Sequence, residues 1–436
     1  MRARNGDSPP GEVPAQRRIL AVLVLSQVLS GAGLAAGITV GALLAEEMLG
    51  STGLAGVPSA LFTAGAAIGA VGIGRICQRW GRRPGLALGY GVGALGSLGV
   101  VAAAAVGSVP LLFLALLVYG AGTSTNLMAR YAGADLASPA RRGRAVSTVL
   151  FATTLGAVVG PNLVTVTGDV AHAWGIPRLA GPFLLAVVAF GSAAVVLACL
   201  LRPDPLRLAR APAQDAPAPG ADGGTATASD RPDRRGLVTG TTVMVLTQLV
   251  MIAIMTMTPV HMRAHGHSTQ SAGLVIALHV GAMFLPSPLT GLLVDRVGRR
   301  WVAGASAVIL LGSGVLAAVA PPHAVPALAA ALVLLGLGWN FGLVSGTAMV
   351  TDALPPARRA SAQGLVDVGI AIAGAAGGMS SGLVVVLGGY PVLALAGGIL
   401  ALAIVPVIAA AARPPARMTP APPDATERAG RTERAR

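Results

Sequence analysis

The chain has 436 residues, 54% of them hydrophobic and 11% charged, and a formal net charge of +14. This composition excludes an ordinary soluble domain, in which about a quarter of the residues are charged. The 31 basic side chains are all arginines. Most of them lie in loops between apolar runs, as in membrane proteins with a positive inner side, so the charge does not indicate a nucleic-acid surface.

Apolar runs long enough to cross a bilayer, about 20 residues each, follow one another along the whole chain. The first six predicted spans lie near 19–45, 54–74, 84–106, 109–131, 144–168 and 181–202. The second six lie near 237–262, 270–291, 301–320, 325–350, 362–386 and 390–412. The sequence therefore predicts an all-α membrane protein with 12 transmembrane helices.

The loops predict the orientation and the domain boundaries. Alternating them from a cytoplasmic N-terminus leaves only Arg178 and Arg263 outside, so both termini of this multi-pass plasma-membrane protein are expected in the cytoplasm. The first apolar run is too long for a signal peptide and is expected to remain as an anchor. The predicted segments are a cytoplasmic tail, a six-helix bundle, a flexible cytoplasmic linker rich in Pro, Ala, Gly and Asp, a second six-helix bundle and a second cytoplasmic tail, at 1–18, 19–202, 203–236, 237–412 and 413–436.

The two predicted bundles repeat a pattern of glycine and charged residues at a fixed spacing of 217 positions. Gly74 and Arg82 recur as Gly291 and Arg299. The next turn on the same side obeys the same shift, with Asp135 recurring as Asp352. A parallel internal repeat of this kind predicts two pseudo-symmetric halves with a substrate site between them.

The stretch Gly291-Leu-Leu-Val-Asp295-Arg296-Val-Gly298-Arg299-Arg300 resembles the signature loop of the major facilitator superfamily, and its first copy departs from the pattern because Gln78 replaces the acid. The resemblance implies alternating access between two halves, with a breakable charge cluster at the inner face. Because Gln78 carries no charge, the charge contact of the first half is either lost or made by Asp135 instead. The loop arginines can also be explained as residues that only set the topology. The predicted conformational switch comprises Gly74, Arg79, Gly81, Arg82, Asp135, Gly291, Asp295, Arg296, Gly298, Arg299 and Asp352.

One acidic residue, Asp367, lies well inside an apolar run, about a turn and a half from the predicted inner end of the eleventh span. A carboxylate in a span is a functional candidate because its charged form is costly there. Two roles are open for Asp367, either protonation that couples transport to an ion or a gate contact with a loop arginine. No basic residue is predicted deep in a span, which argues against a polyanionic cargo.

Methionine and histidine are concentrated in the seventh and eighth predicted spans. Met251 and Met255 form one pair four residues apart, and His279 and Met283 form another. Residues at this spacing share a helix face, and both pairs are predicted near the midplane. Thioether sulfur and imidazole nitrogen suit Cu(I), so these four residues are the predicted metal ligands. A Met/His-rich mouth, the predicted substrate entry, comprises Met257, His261, Met262, His265 and His267.

The two Met/His motifs, Met251 to Met255 and His279 to Met283, resemble those of copper importers of the CcoA type within the superfamily. The resemblance implies copper uptake, with copper as the cargo and no cofactor. The same branch is also similar to riboflavin importers. A small organic cargo, by vitamin import or by export of a hydrophobic compound, is therefore the alternative, with the methionines as packing and a site among Tyr119, Asn126, Trp339 and Asn340.

A non-transporting receptor or assembly factor on the same scaffold is a third alternative. Enzyme activity is not expected, because no nucleophile and base pair, phosphate loop or catalytic metal triad is present. The expected partners are a small-molecule or metal-ion substrate and membrane lipid, without nucleic acid, and the protein is expected to be a monomer.

Overall fold

The structure, a computed structural model, describes residues 15–49, 56–214 and 232–412. Within these residues the chain is helical and contains no strand. The first eight helices are α1 (Ala15–Leu49), α2 (Gly56–Trp80), α3 (Arg82–Val106), α4 (Val109–Ala134), α5 (Arg142–Asn162), α6 (Val164–Ala173), α7 (Gly181–Leu200) and α8 (Pro205–Gln214). The other seven are α9 (Arg234–Ala264), α10 (Thr269–Phe284), α11 (Ser287–Arg296), α12 (Arg299–Val319), α13 (Val325–Ala353), α14 (Arg359–Ala401) and α15 (Ile404–Ala412).

These helices account for the twelve predicted spans. Ten helical segments of the described chain are long and apolar enough to cross a membrane. The last of them, Arg359–Ala411, contains a break at Gly389, whose φ of 81° leaves the helical region, so it holds two spans. The fifth span is supplied by α5 and α6. The all-α membrane fold predicted from the sequence is confirmed.

Small residues set how closely the helices pack. A Cβ on Gly93 would lie 3.5 Å from the Cα of Gly122, and one on Gly122 would lie 2.2 Å from the Cα of Gly93. Such small-residue contacts let α3 and α4 approach in an environment where burial gives little driving force. Large apolar side chains such as Met379 and Val386 instead remain more than four-fifths exposed, as expected of a lipid-facing surface.

The N-terminal half, α1 to α7, and the C-terminal half, α9 to α15, meet along two helix pairs, α2 against α14 and α5 against α11. One end of the bundle, the arginine face, carries Arg82, Arg142, Arg299 and Arg359. The other end is the opposite face. Hydrogen bonds that join the halves lie on the arginine-face side.

The connection between the halves differs from the predicted flexible linker at 203–236. Its first part forms the helix α8, and Arg210 on this helix donates hydrogen bonds to the backbone oxygens of Gln78 and Pro356. Leu206 is fully buried. Composition favoured a flexible segment, but Pro205, Leu206 and Ala209 share one side of α8 at helical spacing, and this side packs against the bundle. Residues 215–231 of the predicted linker lie outside the described residues, as do 1–14 and 413–436 of the predicted tails.

Candidate functional site

The halves are joined at the arginine face by two backbone contacts that repeat the internal symmetry. The carboxylate of Asp295 accepts hydrogen bonds from the amides of Gly143 and Arg144 at 2.8 and 3.0 Å. At the equivalent place, the side-chain oxygen of Gln78 accepts from the amides of Ala360 and Ser361 at 2.9 and 3.2 Å. Both acceptors thus satisfy free amides at the first turn of a helix in the other half. The amide of Gln78 makes the contact that the sequence left in doubt.

Two groups of one aspartate and two arginines flank these contacts. Asp135 binds Arg82 of its own half, with Nε to Oδ2 at 2.7 Å, and Arg359 of the other half, with Nη1 to Oδ1 at 3.5 Å. In the symmetric group, Asp352 binds Arg299 of its own half and Arg142 of the other. Each aspartate therefore holds one arginine from each half.

The structure thus brings together most of the predicted conformational switch. Gly74 and Gly291 lie in the contacts α2 to α14 and α5 to α11. Gly81 and Gly298 have φ angles of 98° and 106°, which favour glycine at these turns. Arg79 and Arg296 are exposed and take no part in the two groups, Arg79 lying over the Trp80 ring. A switching role for the whole set remains a prediction.

A third charged contact lies deeper between the halves. Asp367 of α14 and Arg130 of α4 form an ion pair, Nη2 to Oδ1 at 2.7 Å, and both side chains are almost fully buried. The hydroxyl of Tyr131 donates to the same carboxylate oxygen at 3.2 Å. Arg130 also donates to Thr347, its counterpart in the internal repeat, at 3.0 Å. The partner of Asp367 is therefore a helix arginine and not the loop arginine considered from sequence.

The four predicted metal ligands lie on α9 and α10, both of which pack on α13. Met251 and Met283 are buried in the hydrophobic cluster of the C-terminal half, and Met255 packs against that cluster. His279 is fully buried, and its Nδ1 lies 2.8 Å from the backbone oxygen of Leu332 on α13. Its Nε2 has no hydrogen-bond partner in the part of the chain that the structure describes. The His279 ring is therefore held against α13 through Nδ1, and Nε2 is left without a partner among the described residues.

The predicted entry residues separate into two groups. Met262 is fully buried, and Met257 is partly buried against the same hydrophobic cluster. The rings of His261 and His265 lie 4.3 Å apart at the opposite face, and His267 follows in the next loop. No three of the described His, Cys, Asp or Glu side chains are arranged to hold a metal ion.

The model of the major facilitator superfamily matches residues 23–278 and 239–435, which together span most of the sequence. The chain belongs to the major facilitator superfamily. It is a multi-pass membrane transporter and not an enzyme, and transporters of this superfamily typically need no cofactor.

Two relatives and one solved structure define what this facilitator is similar to. The uncharacterized MFS-type transporter YdeG of Bacillus subtilis is 54% identical over 401 residues, 92% of this chain and 93% of the relative. The riboflavin transporter RfnT of Brucella anthropi is 32% identical over 360 residues, 82% of this chain and 86% of the relative. The human organic anion transporter MFSD10 shares the fold, with a TM-score of 0.73 at 17% identity over 92% of this chain and all of the other.

Three of the four residues suggested for an organic cargo make hydrogen bonds within their own half of this facilitator. The hydroxyl of Tyr119 donates to Gly33 inside the N-terminal half. Asn126 donates to Ser30, also within that half. Asn340 donates to the Met283 oxygen and to Ser287, and so bridges the break between α10 and α11. These three side chains connect helices within a half, as interhelical hydrogen bonds in membranes commonly do.

Trp339, the fourth member of that suggested site, stands apart from the other three. Its Nε1 donates to the side-chain oxygen of Gln248 on α9 at 2.7 Å. The ring of Phe284 on α10 lies edge-on at 5.6 Å. Trp339 therefore joins an amide and an aromatic ring from two helices.

Sequence reasoning missed Arg130 and His323. Arg130 stands near the end of a predicted span and is separated from Asp367 by 237 positions, so no local pattern links the two. Its spacing of 217 positions from Thr347 was the available signal, because equivalent residues of two symmetric halves meet on the symmetry axis. His323 is a single histidine in a short loop and carries no motif.

Proposed function

We propose that this facilitator imports copper across the plasma membrane by alternating access, with both termini in the cytoplasm. Met251, Met255, His279 and Met283 would bind the ion. The observation that carries the proposal is the bonding of His279, a fully buried imidazole. Its Nδ1 is fixed by the backbone oxygen of Leu332, and its Nε2 is buried without a hydrogen-bond partner among the described residues.

The bonding of His279 suits a metal ligand. A ring nitrogen that faces a backbone oxygen must carry the proton, which leaves the other nitrogen with its lone pair. Ligating histidines commonly use this arrangement, because it fixes both the tautomer and the ring orientation. A buried polar nitrogen without a partner is costly unless something binds it. Transient binding of an ion at Nε2 would therefore explain why His279 is buried among apolar side chains.

The methionines supply the complementary chemistry. Thioethers are neutral and need no deprotonation to bind, so a buried thioether site favours a soft, singly charged ion such as Cu(I). Met251 and Met283 are 2% and 8% exposed. Because α9 and α10 both pack on α13, a small shift of either helix during alternating access would change how the two motifs face each other. Loading and release could then follow the conformational cycle.

The interface between the halves supports a direction of access. The Asp295, Gln78, Asp135 and Asp352 contacts between them lie at the arginine face, which is the predicted cytoplasmic side. We take this conformation as closed to the cytoplasm. In it, the ion would enter from the opposite face.

Copper uptake into cells that make the protein is the direct test. We expect accumulation of radioactive copper above the level of cells without the protein, and a fall to that level for His279→Gln, whose amide group has no imidazole nitrogen to bind the ion. Met283→Ala should also lose most uptake. Met349→Ala is the matched control, because Met349 is similarly buried, at 7% exposed, and is not a proposed ligand. Absence of uptake by the intact protein would refute copper import.

Riboflavin or a similar flat organic molecule is the second candidate. It is favoured by the similarity to the riboflavin transporter RfnT and by the group of Trp339, Gln248 and Phe284. An aromatic ring beside an amide suits a planar heterocycle, which stacks and accepts hydrogen bonds.

The two candidates predict opposite responses to the same pair of variants. If riboflavin is the cargo, uptake of radioactive riboflavin should fall severalfold or more in Trp339→Ala and stay near the intact level in His279→Gln. Copper import predicts the reverse for copper. Membrane abundance of each variant should be matched before rates are compared. If riboflavin uptake were unchanged in Trp339→Ala, the group of Trp339, Gln248 and Phe284 would be excluded as the riboflavin site.

A further inference from the structure

A second cluster of imidazoles, distinct from the buried His279, lies at the opposite face. It joins the end of α9 and the loop that follows to the loop between α12 and α13. The ring of His323 lies 6.2 Å from that of His265 and 6.3 Å from that of His267. His261 stands 4.3 Å from His265 and is stacked on Tyr390. The structure thus adds His323, from a different loop, to three histidines that are close in sequence.

Backbone oxygens fix two of these rings so that each keeps a free nitrogen. Nδ1 of His265 lies 2.8 Å from the backbone oxygen of His261. Nε2 of His267 lies 2.8 Å from the backbone oxygen of Pro322. Since a carbonyl oxygen only accepts, the facing nitrogen carries the proton in each ring. In the neutral rings Nε2 of His265 and Nδ1 of His267 are then lone-pair donors, the state that a metal requires.

The remaining requirement is a third ligand, and His323 can provide it. Rings that share one tetrahedral ion through nitrogens about 2 Å from the metal have centres about 5 Å apart. The His323 ring is therefore about 1 Å too far from each of the others, in agreement with the absence of a formed metal group among the described residues. His323 is exposed and follows two prolines in a short loop, so a change of its rotamer can bring its ring closer to the other two.

We propose that His265, His267 and His323 bind a divalent transition-metal ion of the kind that prefers imidazole, such as Cu²⁺ or Zn²⁺, at the opposite face of the facilitator. His261, packed between His265 and Tyr390, lies on the inward side of this site. Binding at this site does not rest on the proposed copper import, because it requires no passage through the protein.

Metal binding by the purified full-length protein in detergent tests the proposal. Calorimetry with Zn²⁺ should show one binding site. His323→Ala should lower the Zn²⁺ affinity by at least about 10- to 100-fold, because removing even a group that only orients a metal ligand has an effect of this size. His323→Asp, which retains a ligand atom, should recover part of the affinity. His172→Ala is the matched control, because His172 is also an exposed histidine on the same face. Electron paramagnetic resonance with Cu²⁺ should show one fewer coordinated nitrogen in His323→Ala.

Two results would overturn the proposal. One is an intact protein that binds neither Zn²⁺ nor Cu²⁺. The other is an affinity that is the same in the intact protein, His323→Ala and His265→Ala. His279→Gln separates this proposal from copper import, since it should abolish uptake and leave Zn²⁺ binding unchanged. Failure of import with retained binding would refute the transport proposal alone.

Discussion

Replacing Arg130 with alanine is expected to shift the facilitator away from the conformation closed at the arginine face by about two to three and a half orders of magnitude. The variant leaves the carboxylate of Asp367 buried without its cation, and removing one partner of a buried pair costs about 3 to 5 kcal/mol, where about 1.4 kcal/mol is a factor of ten. Tyr131 still donates to Asp367 but brings no charge. Opening at the arginine face relieves the penalty, because water then reaches Asp367.

Spin labels at the arginine face measure this shift. Trp80 and Trp301 are 48% and 76% exposed and belong to different halves, so they suit labelling after replacement by cysteine. Cys77 and Cys199 are first replaced by serine. The distance distribution between the labels should move to longer values in Arg130→Ala, and transport should fall because one conformation dominates. An unchanged distribution would show that the pair does not hold the halves together.

Two further variants isolate the charge pair. In Arg130→Ala with Asp367→Ala no charge remains unpaired, so the closed population should return most of the way, as replacement of a whole buried pair is often nearly neutral. Arg178→Ala removes an ion pair with Asp169 whose side chains are 64% and 56% exposed. Exposed pairs contribute about 0 to 1 kcal/mol, so this control should behave like the intact protein.

Local patterns were sufficient to predict the fold and the face at which the halves meet. Apolar runs gave the twelve spans, and the spacing of 217 positions gave the two halves. The same spacing relates Gln78 to Asp295, and it relates the amide of Gly143, which Asp295 binds, to the amide of Ala360, which Gln78 binds. These features depend on short motifs that each half contains by itself, so they can be read without knowing how the halves pack.

Features that depend on packing between distant segments could not be predicted. The partner of Asp367 lies on another half, and His323 reaches the other histidines through a loop. The position of His279 in its span also did not predict which helix its side chain faces. Its hydrogen bond to Leu332 depends on the rotation of α10 about its axis relative to α13. Depth and helix spacing placed the Met/His motifs at similar levels but could not show which neighbour each side chain meets.

Substituting Gly291 with alanine should open the arginine face through a steric effect. A Cβ at Gly291 would lie 2.6 Å from the backbone oxygen of Gly143 and 2.1 Å from Oγ of Ser147. The serine side chain can rotate, but the oxygen of Gly143 moves only with α5, so α5 and α11 must separate. Overpacking of this kind costs about 1 to 3 kcal/mol, which corresponds to about five- to 150-fold in the closed population.

The internal repeat supplies a graded comparison for this variant. At the symmetric position, a Cβ on Gly74 would lie 3.1 Å from the oxygen of Ala360, a contact that a small adjustment relieves. Gly74→Ala should therefore shift the label distances less than Gly291→Ala does. Gly304→Ala places its methyl group where nothing lies within 4 Å and should have no effect. Equal shifts in all three variants would mean that lost backbone flexibility, and not contact between the halves, is responsible.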